Sequence, residues 1–370
     1  MTRVLITGGA GFVGAHLAQQ LLAEGHRVRV LDNLVAQVHG DSERPDYLPA
    51  DVELVHGDVC DADAVRGALR DVQQVVHLAA RVGVGQSMYE IAGYTATNTM
   101  GTGVLLEALL AERPERLVVA SSMSVYGEGL YRDANGNPVT DAQRTRADLA
   151  AGRWEPLGED GAALLPMPTP ETKPPVLSSV YALTKYDQER LCLMFGEAYQ
   201  VPTVALRFFN IYGPHQALSN PYTGVLAIFA ARLLNGRPPM IFEDGQQQRD
   251  FVSVHDVARA IRLALSVPDA AGRVLNVGSG RARSVNEIAR ALATALNRED
   301  LTPEVTGRFR VGDIRHCWAD LSRAEQVLGY RPAVDFAAGL AELVDWLAGQ
   351  VAVDSVEAAT AELAGRGLTV

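Results

Sequence analysis

Tyr181 and Lys185 stand four residues apart in Tyr181-Ala182-Leu183-Thr184-Lys185, a spacing that puts both side chains on one face of a helix. A phenol is a poor base at neutral pH, with an ordinary pKa of about 10. A lysine ammonium beside it favours the phenolate. The pair can then take a proton from a carbinol hydroxyl while the same carbon is oxidised. Alone, such a pair is usually a surface arrangement. A second source of hydroxyls is Ser121-Ser122-Met123-Ser124-Val125-Tyr126-Gly127, after a β-rich run. In an open parallel sheet, ligands sit outside the carboxyl ends of strands, where a serine can hold a reacting oxygen. Its plainer reading is a local turn cap.

Both segments gain weight from Thr7-Gly8-Gly9-Ala10-Gly11-Phe12-Val13-Gly14. Gly8, Gly11 and Gly14 have the spacing G-x-x-G-x-x-G, directly after a strand-like run and at the opening of a helical one. Glycines permit the tight turn and let backbone approach a pyrophosphate, and the helix N-terminus favours the anion. Asp32, at the end of the next β-rich run, suits the adenosine ribose hydroxyls and repels a 2′-phosphate. No Arg follows within Asn33–Gln37, so NAD is expected rather than NADP. Asp58 follows a third such run and can reach adenine. An Asp before a helix is more often an N-cap, but Asp61 is better placed for that and leaves Asp58 free.

These residues need a scaffold, and the hydrophobic pattern supplies one. Arg3–Thr7, Val28–Asp32, Val52–His56, Gln73–His77, Arg116–Ser121 and Val201–Arg207 read as strands, mostly Val/Ile/Leu-rich as in sheets buried on both faces. Phe12–Ala23, Ala62–Leu69, Asn98–Ala111 and Ser179–Tyr199 read as helices between them. Repeated βα units imply an α/β, Rossmann-type, doubly wound parallel sheet. Beyond Phe208 the pattern is less regular. Helices are expected near Tyr222–Leu234, Val254–Leu265, Ser284–Ala295 and Phe336–Ala348, with short strands at Pro239–Phe242 and Val274–Val277. The expected division is a dinucleotide-binding domain over 1–206, a smaller mixed α/β substrate domain over 207–350 with the chain free to cross back, and a tail over 351–370. The tail holds one more helix, Asp354–Ala364, capped by Asp354 with Glu357 three residues on.

The 370 residues, 48% hydrophobic and 21% charged, suffice for one large domain or two fused ones. A net charge of −11 argues against nucleic acid or an anionic membrane as partner. No apolar run is long enough to span a bilayer, and the apolar stretch after Met1-Thr2-Arg3 is broken by glycines and reads as strand and turn, not signal peptide. Cys60, Cys192 and Cys317 lie far apart with no paired spacing, as expected of reduced thiols in a cytoplasmic protein.

Taken together, the motifs resemble the extended short-chain dehydrogenases/reductases of the nucleotide-sugar epimerase/dehydratase family over nearly the whole chain. Besides those above, the resemblance rests on His77-Leu78-Ala79-Ala80, Asn98-Thr99-Met100-Gly101-Thr102, Arg207-Phe208-Phe209-Asn210-Ile211-Tyr212-Gly213-Pro214, Arg249-Asp250-Phe251-Val252-Ser253-Val254-His255-Asp256-Val257, Asn276-Val277-Gly278 and Arg310-Val311-Gly312-Asp313. It implies that Ser122, Tyr181 and Lys185 are the catalytic triad, Lys185 also holding the nicotinamide ribose. Phe12, Val13, Asp32, Asn33, Asp58, Val59, Leu78, Ala79, Ala80 and Asn98 would line NAD. Ser124, Asn210, Val225, Arg249, Arg310 and Asp313 would meet the substrate, the two arginines on its diphosphate. A homodimer would form through the Asn98–Ala111 and Ser179–Tyr199 helices.

Dehydratases of this family resemble Thr-Asp-Glu where this chain has Ser122, Met123 and Ser124, and its decarboxylases place a Glu at Ser124. Met123 and Ser124 cannot supply those carboxyls, which leaves 4-epimerisation through a transient 4-keto sugar. The long insertion, Leu218-Ser219-Asn220-Pro221-Tyr222-Thr223-Gly224 and Gly312-Asp313-Ile314-Arg315-His316-Cys317 most resemble dTDP-L-rhamnose 4-epimerases; a UDP-hexose or UDP-hexuronate 4-epimerase is the alternative. Members of that group with a small zinc site use cysteines in the insertion. Here 127–177 has neither Cys nor His, so no metal is expected. That segment is rich in proline and too long for a simple connection. It is expected to be a lid that screens the keto sugar, with Trp154 and the apolar run Ala162–Leu165 packing it onto the substrate domain.

Overall fold

The computed structural model describes residues 1–220, 222, 224–310, 312–350, 354 and 356–369. Seven parallel strands form the central sheet: β1 (Arg3–Thr7), β2 (Arg27–Asp32), β3 (Glu53–His56), β4 (Gln74–His77), β5 (Arg116–Ser122), β6 (Thr203–Phe208) and β7 (Val274–Val277). Their order is β3-β2-β1-β4-β5-β6-β7. Val4 stands beside Val28 on one side and Gln74 on the other. Because side chains alternate along a strand, Val4 and Ile6 enter one apolar core and Leu5 the other. The helices Phe12–Ala23 and Val254–Ser266 cover the first face; Gly101–Leu109 and Val180–Tyr199 cover the second. The chain reverses between β1 and β4, so the crevice for a ligand lies where the expected motifs end.

Four elements differ from the sequence reading. The helix expected from Asn98 begins at Ile91 and passes through a π-helical stretch, Thr95–Met100, before Gly101–Leu109. A Cβ on Gly101 would lie 2.6 Å from Val59 Cγ1, so this helix leans directly on the end of the third βα unit. β7, expected in the smaller domain, joins β6 in the main sheet. The helix expected from Tyr222 is Val225–Leu234 with Gly224 as its N-cap; residues 221 and 223 lie outside the described set. The tail helix is Val356–Gly365, and Asp354 accepts from the Val356 amide at 3.2 Å.

The insertion is a folded unit. Leu130–Arg132 pairs antiparallel with both Pro138–Val139 and Leu165–Met167, and the helix Arg146–Ala150 is capped by Thr145. Trp154 stacks toward Phe309, 6.4 Å between centroids, as anticipated. The run Ala162–Leu165 does not dock outward: Leu164 packs on Tyr131 and Ala142 within the insertion, and Leu165 is 50% exposed. Buried charges make the main attachment. Arg144 bonds Glu128 at 3.0 Å, Glu243 at 2.7 Å and the Asp313 carbonyl at 2.6 Å. Arg315 bonds Glu155, Glu243 and Asp244, and His316 bonds Glu155 at 2.9 Å. Desolvated ions of this kind are stable only when fully paired.

Removing Arg144 leaves Glu243, 1% exposed, short of a partner, and breaking such a pair costs about 3–5 kcal/mol. Arg144→Ala should lower the urea midpoint accordingly. An unchanged midpoint would mean that the insertion is not anchored by these charges.

Candidate active site

The site is assembled at the carboxyl ends of β1, β2, β4 and β5. After β1, Gly8 has φ +68°, and a Cβ there would lie 2.7 Å from the Ala79 backbone. The turn after β1 therefore rests on the backbone after β4, a contact only glycine permits. Gly14 allows the same intimacy within the turn: its Cβ would meet Gly9 Cα at 2.4 Å. Gly11 differs. A Cβ there would meet only the Gly8 carbonyl, at 3.4 Å. Gly11 is the N-cap of Phe12–Ala23, with no capping side chain and no acidic residue in the first turn. The first-turn amides, those of Phe12 and Val13 among them, are left for an anion.

Asp32, 8% exposed, accepts from the amides of Ala10 and Leu34, each at 3.0 Å. A carboxylate has about four acceptor sites, so it clamps the glycine turn and still has capacity for ribose hydroxyls. Asp61 caps Ala62–Leu69 as expected. Asp58, however, is not free: it accepts from Asn33 Nδ2 and the Cys60 amide, both at 2.8 Å. Burial pushes its carboxyl up, and these donors outweigh burial and hold it below its ordinary value. Val59 is buried, while Leu78, Ala79 and Ala80 are half-buried beside the Gly8 turn. These residues fit a dinucleotide: an uncapped helix end for its pyrophosphate, open space at Gly11 and a carboxylate at its ribose.

Asn98 departs from the reading as a residue that lines the cofactor. It is fully buried, accepts from the Arg81 amide at 2.7 Å, and donates to the Arg81 carbonyl and Thr184 Oγ1. It binds the segment after β4 to the catalytic helix instead.

Tyr181 sits in the first turn of Val180–Tyr199, whose N-cap Ser179 accepts from Ala182. Its amide donates to Ser87 Oγ at 3.0 Å. Burial raises the phenol's pKa, and the Ser122 hydroxyl lowers it. Ser122 Oγ accepts from both the amide and the hydroxyl of Ser124, at 3.2 and 2.9 Å, which leaves its own proton for Tyr181 or a substrate oxygen. The neighbouring Ser121 points the other way and donates to Glu189, which also holds Arg207 bidentately. That buried pair fixes the end of β5.

Lys185 Nζ donates to Gln188 Oε1 at 2.6 Å, and burial lowers its pKa to about 7. Gln188 was not singled out in the sequence, although i+3 from Lys185 and i+7 from Tyr181 place it on the same helix face. Its amide nitrogen donates to His77 Nε2, Thr102 Oγ1 and the Ala79 carbonyl, at 3.0, 3.0 and 3.1 Å. His77 is held at both ring nitrogens, Nδ1 by Thr7 Oγ1 at 2.7 Å and Nε2 by Thr102 Oγ1 at 2.9 Å as well as by Gln188. Burial lowers the His77 pKa to about 3, keeping it neutral.

The expected substrate residues cluster less uniformly. Asn210 Oδ1 and Arg310 Nε are buried without partners among the described residues; the Arg310 guanidinium lies over the Phe242 ring at 4.2 Å. Arg249 is largely engaged: it donates to the carbonyls of Gln248, Ile314 and Arg315 and pairs with Asp313 at 3.2 Å. It holds the loop that carries Asp313. Val225 opens its helix. The cavity beside these residues is lined by Val84, Gly85, Met88, Ser178, Ser179, Arg310, Asp313, Leu363 and Leu368.

The glycines separate folding from binding. Gly14→Ala forces a Cβ into the Gly9 backbone and should lower the thermal midpoint. Gly11→Ala should keep the midpoint and weaken NAD binding at least about tenfold, because the methyl group occupies the approach of the pyrophosphate. Equal affinity of Gly11→Ala and the parent in fluorescence titration would remove the pyrophosphate from this helix end.

The family model for the NAD dependent epimerase/dehydratase family matches residues 4–147 and 158–278. The chain is 38% identical over 350 residues to a dTDP-L-rhamnose 4-epimerase of Burkholderia thailandensis, covering 94% of this chain and 95% of that one. It is 33% identical to a UDP-glucose 4-epimerase of Mycolicibacterium smegmatis, over 93% and 98% of the two chains. Among solved structures, a Thermus thermophilus UDP-glucose 4-epimerase in complex with NAD superimposes with a TM-score of 0.73 at 32% identity, over 95% of this chain and all (100%) of that chain. The glycine turn, the Ser122–Tyr181 pair and these matches lead to one conclusion: the chain belongs to the NAD dependent epimerase/dehydratase family.

Proposed function

We propose that this protein is an NAD-dependent nucleotide-sugar 4-epimerase whose substrate is a dTDP-6-deoxyhexose such as dTDP-L-rhamnose. The observation that carries this reading is the composition of the reacting corner. Ser122 and Tyr181 meet there, and Ser124 spends its hydroxyl on Ser122. Elimination or decarboxylation by the family's route needs a carboxyl at position 123 or 124, where this chain has Met and Ser. The 38% identity to a dTDP-L-rhamnose 4-epimerase along nearly the full length of both chains supports the substrate class.

NAD, when bound, would supply reversible two-electron oxidation at the sugar carbon. Gly8, Gly11, Phe12, Val13 and Asp32 would hold it, with Lys185 toward its nicotinamide ribose. Tyr181 takes the proton from the sugar's 4-hydroxyl, and Ser122 donates to the same oxygen. The keto sugar turns in the cleft and presents its other face. Tyr181 then returns the proton, so the enzyme ends as it began. Arg310 would hold the diphosphate, with Asn210, Val225 and Asp313 around the nucleotide and Arg249 keeping the Asp313 loop in place, while the sugar turns. Three free thiols, as in reducing compartments, support a cytoplasmic setting.

The same reading includes a homodimer. Ile91, Met100, Leu183, Met194 and Tyr199 are 53%, 55%, 46%, 48% and 39% exposed, all on the two helices expected at the interface or on the turn leading into them. A second copy would cover them. Light scattering at micromolar concentration should give twice the chain mass, and Met100→Asp with Met194→Glu should give the monomer. A monomeric parent protein overturns the dimer.

Incubation with dTDP-L-rhamnose, UDP-glucose and UDP-glucuronate, followed by NMR, tests the reaction. The expected outcome is the C4 epimer of dTDP-L-rhamnose with no net NADH. Turnover of a UDP-sugar alone would shift the substrate class. Tyr181→Phe should fold normally and lose at least about a hundredfold in kcat; near-normal turnover would rule out Tyr181 as the base.

A further inference from the structure

β2 and β4 are the two neighbours of β1, one on each side. The segments that follow them leave the same edge of the sheet and flank the glycine turn. After β2 the chain passes Asp32 and forms the short helix Ala36–His39. After β4 it forms the short helix Val84–Ser87. Two side chains join these segments. Gln37 Nε2 donates to Gln86 Oε1 at 3.1 Å, and Gln86 Nε2 donates to Gln37 Oε1 at 3.3 Å. A link between the segments on either side of β1 has to cross the end of β1. There the helix Phe12–Ala23 opens with the uncapped end that fits a pyrophosphate. Gln37 Nε2 also donates to Asn220 Oδ1 at 3.1 Å, so the link reaches the loop that leads to Val225.

The two halves of the link are held very differently. Gln86 is 8% exposed. Besides meeting Gln37, it accepts from the Tyr94 hydroxyl at 3.3 Å and donates to Glu90 at 2.9 Å. Glu90 in turn pairs with Arg81. The next residue, Ser87, accepts from the Tyr181 amide. Gln86 is thus a fixed post, tied to the helix that carries the base. Gln37 is exposed, and no residue of its helix is buried. The backbone there is steadied from within by His39, whose ring lies 3.8 Å from the Asp32 carboxylate and 3.4 Å from the Tyr47 hydroxyl. What is free to move is the Gln37 side chain, whose bonds compete with water.

We propose that Gln37 and Gln86 form a clasp across the cofactor cleft, that the clasp must part for the dinucleotide to enter or leave, and that Asn220 joins the substrate loop to it. Parting needs no backbone movement. Rotation about the Gln37 side-chain torsions carries its amide into water, while Gln86 stays with Tyr94 and Glu90. In the proposed 4-epimerisation, slow exchange is useful, because NADH released at the keto stage leaves the sugar half-converted. The clasp itself concerns the cofactor alone and stands whatever sugar the enzyme turns over.

Stopped-flow fluorescence of NADH with the full-length protein gives both rates. In Gln37→Ala, entry and release should each quicken about three- to tenfold, the weight of two or three exposed hydrogen bonds, with Kd kept within about twofold. Gln86→Ala should do the same. The double variant should be no faster than the faster single one, because either change removes the whole pair. Asn220→Ala should quicken both rates by a smaller factor. Unchanged rates in Gln37→Ala overturn the clasp. So does faster release with entry unchanged, which makes Gln37 an ordinary contact of the cofactor, and so do effects that multiply in the double variant. Unchanged rates in Asn220→Ala remove the substrate loop from the clasp. If Gln86→Ala does not fold, Gln86→Leu takes its place in the cycle, and Gln37→Ala, at an exposed position, still decides.

Discussion

The catalytic arrangement depends on one buried chain of hydrogen bonds that runs from Thr7 through His77 and Gln188 to Lys185. It begins at the end of β1, where the glycine turn starts, and finishes on the helix that carries Tyr181. Every member is sealed from water, so each bond has no competitor and each missing bond would leave an unpaired polar atom. The consequence is geometric. The turn that receives the cofactor and the helix that supplies the base are one rigid body, set with respect to each other before any ligand arrives. His77 can serve in that chain only as a neutral imidazole, and burial keeps it so.

Much of this was legible in the chain itself. The parallel sheet, the glycine turn and Asp32 follow from local periodicity and from residues whose chemistry is specific, and the family resemblance added Ser122 to Tyr181. What escaped was the choice of partner, mostly across distant parts of the chain. Lys185 was read as the partner of Tyr181 because four-residue spacing aligns them, yet a closer acceptor three residues on, Gln188, holds its ammonium. Asn98 belonged to a motif that suggests cofactor contact, but its surroundings are protein on all sides. Arg249 and Asp313 lie 64 positions apart, and no pattern in either neighbourhood announces that they pair.

The insertion shows the same limit on a larger scale. Its prolines and its length signalled a unit with some purpose, and the structure gives it a sheet and a helix. Its attachment rests on Glu128, Arg144 and Glu155 meeting Glu243, Asp244, Arg315 and His316 from the far end of the sequence. These charges would read singly as solvated surface residues. Brought together, they tie the insertion to the loop of Asp313.

The π-helical stretch Thr95–Met100 has a bearing on how this chain can change over generations. Such a stretch accommodates one residue more than an α-helix of the same height. Losing a single codon there would let the helix tighten to ordinary winding while every later residue kept its place. The residues ahead of the lost one would instead rotate by about a quarter turn, carrying Tyr94 and the approach to Arg81 away from the reacting corner. A lineage in which that one-codon gap occurs should therefore also show altered residues around position 81, and an alignment gap there would mark a remodelled sugar pocket rather than a neutral slip.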